Sequence, residues 1–158
     1  MEGLALILIG AAIFSHAWYL LGLYSDGRTV GVLMAVLGVG LLITLTFEPQ
    51  LLGVQGADTT QKLGEVNMMK ALILLWAGYA GVVAAQGWSD LEERAIGFYA
   101  LALTVGSAAA LAYFATQLWE HDALSGVSAV SVTVSLTAVA GILSALGTTL
   151  FFYMAVPY

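Results

Sequence analysis

The residues predict an all-α fold: a polytopic transmembrane helical bundle of about five spans, one domain over residues 1–158. Three observations carry that expectation. Gly3–Leu23 and Thr29–Phe47 are apolar runs of about 19–21 residues, the length a helix needs to cross ~30 Å of hydrocarbon. Both are apolar all round, so a hairpin of the two would not be stable as a fold in water. Charged residues are 9% of the chain and hydrophobic ones 61%, where soluble domains carry roughly 25% charged residues, and mean hydropathy is +0.96. All ten acids and all four bases fall in inter-span segments or at span ends.

Span one is read as residues 4–23, interrupted only by Ser15 and His16. The one charge before it is Glu2, where a signal peptide would be basic, so the run is expected to be a mature first span. Tyr24-Ser25-Asp26-Gly27-Arg28 breaks the pattern, and span two, 29–47, stops at Glu48-Pro49 because proline restricts the residue before it. Residues 48–66 read as a polar loop. Span three is 68–87, and a turn over Trp88–Arg94 leads into span four, 95–118. Glu120-His121-Asp122 precedes span five, 126–155, within an uncharged stretch from Ala123 to Tyr158. Its opening, VSAVSVTVS, alternates like a strand. Beside four spans and without a partner strand, it reads as helix. Five spans put the two ends of the chain on opposite sides. Lys62 and Lys70 on one side against Arg28 and Arg94 on the other leave the orientation open.

Composition excludes several chemistries. There is no cysteine, so there are no disulfides and no thiolate metal sites. Two histidines give little scope for a haem or metal, and no metal or other cofactor is expected. A net charge of −6 argues against a nucleic-acid partner and against a polybasic hold on anionic lipid. No Ser/His/Asp set or phosphate loop is visible, Glu92-Glu93 read as a solvated turn, and the chain is not expected to be an enzyme. With no ionisable acid or base mid-membrane, coupled pumps and voltage sensors are disfavoured. Passage of an uncharged solute, or no transport at all, is left.

Inside the spans the polar groups are few. His16 reads either as a pore-facing, pH-sensitive group or as a neutral packing residue bonded to a neighbouring helix. Trp76 and Tyr79 are too deep in span three for an interfacial belt and either line a conduit or pack a core. Thr104 and Ser107 are polar, three apart and deep in span four. Small residues fall in stripes that let helix backbones approach: Gly31, Ala35 and Gly38; Gly78, Gly81 and Ala85; Thr133, Thr137, Gly141, Ala145 and Thr149. Trp18, Tyr19, Tyr24, Trp88, Trp119, Phe151, Phe152, Tyr153 and Tyr158 cluster at span ends as an aromatic belt.

The opening, EGLALILIGAAIFSHAWYLLGLYSDGRTVGVLMAVLGVGL, resembles the start of the urea channel and short-chain amide transporter family (AmiS/UreI type). Val54-Gln55-Gly56-Ala57-Asp58 is similar to that family's acidic loop after span two, and RAIGFYA at Arg94–Ala100 is similar to its arginine and aromatic pair opening span four. The resemblance covers about residues 2–118. It departs at His16, where the family usually has asparagine, and in the span count, five against six, with the Trp-rich fifth span without counterpart. It implies a channel for a small neutral solute such as urea or a short amide, in a lipid bilayer, assembled as a homo-oligomeric ring, with the prokaryotic plasma membrane the expected location. By the same resemblance Leu4 narrows a pore mouth. Leu4, His16, Trp76, Tyr79, Thr104 and Ser107 form the candidate lining, and Gly31, Ala35, Gly38, Gly78, Gly81, Thr137, Gly141 and Ala145 the helix-packing set. The rival reading is a non-transporting structural subunit that packs on a larger membrane complex.

Overall fold

The computed structural model describes residues 2–23, 26–46, 59–89, 91–120 and 127–156. Among them the fold is five α-helices and no strand: α1 (Glu2–Leu20), α2 (Gly27–Thr46), α3 (Thr59–Ser89), α4 (Glu93–Glu120) and α5 (Val127–Met154). Each is long and apolar enough to cross a membrane, so this is an integral membrane protein by the physics of its helices. The alternating opening of span five is helical from Val127, as expected in lipid. Span three differs from its expected bounds: helix begins at Thr59, inside the stretch read as loop, so α3 runs 31 residues, or about 46 Å. The stretch 59–65 is not apolar enough to join the span itself, which starts at Val66, but it holds no proline to stop a helix. Glu48-Pro49, the VQGAD loop piece, His121 and Gly126, the expected first residue of span five, lie outside the described residues.

The α1–α2 turn is set by local chemistry. Gly22 takes φ +69°, the left-handed region that costs glycine nothing. That geometry lets Gly22 N–H donate to Tyr19 O at 2.9 Å and Leu23 N–H donate to Trp18 O at 3.3 Å, the paired bonds that close a helix C-terminus. Asp26 then caps α2: its carboxylate accepts from the Thr29 N–H at 3.2 Å.

α3 is the central helix. Half of its span is buried, against 22% for α1 and for α5. α2 packs along α3, α4 along α5, and α3 joins the two pairs through α4. α1 lies mainly on α2 and touches α3 lightly. One further bond draws α5 toward α1, from the Tyr153 hydroxyl to Leu20 O at 3.4 Å.

Small residues set these seams. A Cβ on Gly31 would lie 3.1 Å from Ala84 O, one on Gly38 3.2 Å from Ala80 Cβ, and one on Gly87 2.8 Å from Gly31 Cα. α2 and α3 therefore meet backbone to backbone. Between α4 and α5, a Cβ on Gly147 would sit 3.0 Å from Thr104 N. The packing face of α5 is accordingly Leu136, Ala140, Leu143, Gly147 and Met154. This corrects the expected stripe: Gly141 and Thr137 are half-buried on its flank, and Ala145 and Thr149 face outward. The four-residue spacing is real, but a row of i, i+4 positions drifts around the helix, and the larger Leu136 and Leu143 occupy the seam. On α3, Gly78 faces Tyr99 of α4, whereas Gly81 is exposed with nothing within 4 Å of where its Cβ would be. Ala35 is half-buried against the core.

Candidate functional site

α1 buries one stripe, Ala5, Ile9, Ala12 and His16, spaced four, three and four. That spacing stacks them on a single face at 3.6 residues per turn. Three members are apolar and small or branched, and the fourth is an imidazole. Leu4, one residue before the stripe and so about 100° around the helix, is 48% exposed on the outer surface. The bundle interior does not reach it, contrary to its expected place in a pore mouth.

His16 is fully buried against α3. Its Nδ1 shares a short hydrogen bond with the Tyr79 hydroxyl, and the two rings lie 5.6 Å apart, tilted by 54°. Trp76, one turn earlier on α3, meets Tyr79 edge-on at 5.5 Å and 71°, a favourable aromatic geometry. Tyr19, one turn after His16 on α1, stacks near-parallel with its ring at 6.3 Å. Tyr79 and Trp76 are themselves 0% and 1% exposed. The result is a row from half-buried Tyr19 through fully buried His16 and Tyr79 to Trp76, running from α1 into the centre of α3.

This row is polar but incompletely satisfied. His16 Nε2 and Trp76 Nε1 are buried with no hydrogen-bond partner among the described residues, as is Ser107 Oγ on α4. A buried polar atom left unpaired costs about 1–3 kcal/mol, so each of these three is a place where a further hydrogen-bond partner would be favourable. Thr104, by contrast, donates its hydroxyl to Ala100 O at 3.0 Å and lies in the α4–α5 seam. The six candidate lining residues thus divide. His16, Trp76 and Tyr79 come together, Ser107 is buried and unpaired on α4, Thr104 is a seam residue and Leu4 lies outside.

No buried side chain among the described residues is an acid, a lysine or an arginine. Nor do three His, Asp or Glu side chains among them gather as metal ligands. Two polar features have no sequence signal. Gln86 is buried on α3 below Tyr79, and the Tyr99 hydroxyl of α4 donates to Leu75 O at 3.0 Å across the helix seam. The pairing of His16 with Tyr79 spans 63 residues and is likewise invisible to spacing. The chain matches no family model, no curated protein and no solved structure.

Proposed function

We propose that this protein passes a small neutral solute, such as urea or a short-chain amide, through the lipid bilayer, in the manner of the urea channel and amide transporter family its opening resembles. The observation that supports this is the composition of the buried cluster. Its deepest polar groups are the neutral hydrogen-bonding side chains of His16, Tyr79 and Trp76, two of their atoms have no partner among the described residues, and no acid, lysine or arginine among those residues is buried. An uncharged solute with hydrogen-bonding atoms fits such groups, whereas an ion would find neither a counter-charge nor a ring of carbonyl ligands. His16 fills the place of the family's asparagine, and both side chains offer hydrogen bonds in a narrow apolar setting. Assembly as a homo-oligomeric ring in a prokaryotic plasma membrane belongs to the same proposal. α1 has a single buried stripe, and Ala145 and Thr149 face outward on α5, so both helices have surface left for a second copy.

The test is uptake by proteoliposomes holding the purified protein, followed by stopped-flow light scattering. Urea and acetamide should enter faster than into empty vesicles, and guanidinium, a cation of similar size, should not. His16→Asn should keep urea uptake within about threefold of the parent, and His16→Leu, which removes the polar group, should lower it about tenfold or more. The same exposed small residues also suit a different partner, which favours a second reading, a non-transporting subunit of a larger complex. That reading expects no uptake by the purified chain and a constant partner when it is isolated from its native membrane.

A further inference from the structure

The bond between His16 Nδ1 and the Tyr79 hydroxyl can run in two directions, and they leave different groups unsatisfied. A neutral imidazole has one N–H and one acceptor nitrogen, and a tyrosine hydroxyl has one proton to give. Were Nδ1–H to donate to Tyr79, the Tyr79 proton would lack an acceptor, because the hydroxyl has no second partner among the described residues. His16 Nε2 would then be a bare lone pair in a fully buried site, making two unsatisfied groups. With Tyr79 donating, Nε2–H alone is left. Each unsatisfied buried group is costly, so the second direction is favoured.

We propose that Tyr79 donates its hydroxyl proton to His16 Nδ1, holds the imidazole as its Nε2–H tautomer, and thereby makes the buried cluster a set of hydrogen-bond donors that takes the carbonyl oxygen of a small neutral solute. The second donor is Trp76 Nε1–H, which can only donate, has no partner among the described residues, and belongs to the ring packed edge-on against Tyr79. Tyr79 itself has no proton left for a solute. It is a positioning residue that acts through His16 and sets the site to recognise acceptors. The carbonyl recognition rests on the channel reading above, and the tautomer assignment stands apart from it.

The tautomer is read by nitrogen NMR of full-length protein in lipid nanodiscs at pH 7.5, labelled at histidine, with His121→Asn leaving His16 as the single histidine. The expected spectrum is one neutral tautomer, with Nδ1 unprotonated and Nε2 carrying the proton. In Tyr79→Phe that single state should be lost, with Nδ1–H appearing. A proton on Nδ1, an imidazolium, or a spectrum unchanged by Tyr79→Phe overturns the assignment. If Tyr79→Phe fails to fold, the parent spectrum decides alone.

Recognition is read by uptake of urea against thiourea, in which the carbonyl oxygen is replaced by sulfur, a weak acceptor. Tyr79→Phe should slow urea by about three- to tenfold and thiourea by less. Equal slowing of both overturns carbonyl recognition. If the parent takes up no urea, the channel reading fails, and titration of acetamide into the labelled protein decides the donor set. Movement of the His16 Nε2–H signal supports it, and a fixed signal overturns it.

Discussion

At the scale of single residues, the Tyr79 hydroxyl is the constraint that ties α3 to α1. It meets a buried imidazole nitrogen from another helix, where solvent cannot substitute for either partner. Tyr79→Phe keeps the ring and its contact with Trp76 while leaving His16 Nδ1 unpaired. The expected loss is about 1–3 kcal/mol of stability, the cost of an unsatisfied buried acceptor. Thr46→Val makes a useful contrast, because that hydroxyl is exposed and donates to Ile43 O of its own helix. It should stay within about 0.5 kcal/mol of the parent. Thermal unfolding in detergent micelles compares the two, and equal midpoints for Tyr79→Phe and the parent would remove the bond from the list of stabilising contacts. The sequence singles out His16 because it is the one imidazole in an otherwise apolar run. It does not single out Tyr79 as the partner, since seven tyrosines are candidates and only the helix packing brings this one within reach.

Among the elements, seams are set by where a side chain is missing. Gly87 on α3 presses against Gly31 of α2, with its missing Cβ only 2.8 Å from backbone that cannot rotate away. Gly87→Ala should therefore push α2 from α3 and cost about 1–3 kcal/mol, an overpacking penalty. Gly81→Ala meets nothing within 4 Å and should be neutral or slightly stabilising, since alanine favours helix over glycine. A parallel pair lies on α5. Gly147→Ala crowds Thr104 backbone at 3.0 Å, while Gly141→Ala makes an ordinary contact with Leu111 at 3.7 Å. Unfolding midpoints that fall alike in Gly87 and Gly81 variants, or in Gly147 and Gly141 variants, would refute this ordering. All four glycines look alike in an apolar sequence. Their rank follows from which face of each helix meets a neighbour, a property of the packing rather than of any local pattern.

For the whole molecule, five successive helices, each long and apolar enough to cross, predict that the start of α1 and the end of α5 lie on opposite sides of the membrane. Tags fused before Glu2 and after Tyr158 should accordingly be labelled by an impermeant reagent from opposite faces of oriented vesicles. Labelling of both from one face would require a span to be lost or gained. The arrangement also explains the distribution of polar groups. α3 is the most buried span and contributes Trp76, Tyr79 and Gln86 to the interior. α1 and α5 are mostly exposed to lipid and contribute less, α1 only His16.

The sequence alone determined the class of this protein, the number of its spans and most of their limits. Those follow from the length of each apolar run and from the cost of leaving a backbone amide or a charge in hydrocarbon, which act on every residue whatever its neighbours. The α1–α2 turn was legible in part: Asp26 lies in the break read at 24–28, whereas Gly22, read as part of span one, ends α1 three residues early at Leu20. The start of α3 at Thr59 was not, because polar residues outside the apolar span are compatible with both loop and helix. Tertiary structure decided which face of each apolar helix turns inward. In a chain whose spans are apolar all round, lipid and protein neighbours reward the same side chains, so periodicity carries little information about facing. That is why Leu4 and Ala145 lie outside while Ala5 and Gly147 lie within, and why the partner of His16 emerged only once α1 was laid against α3.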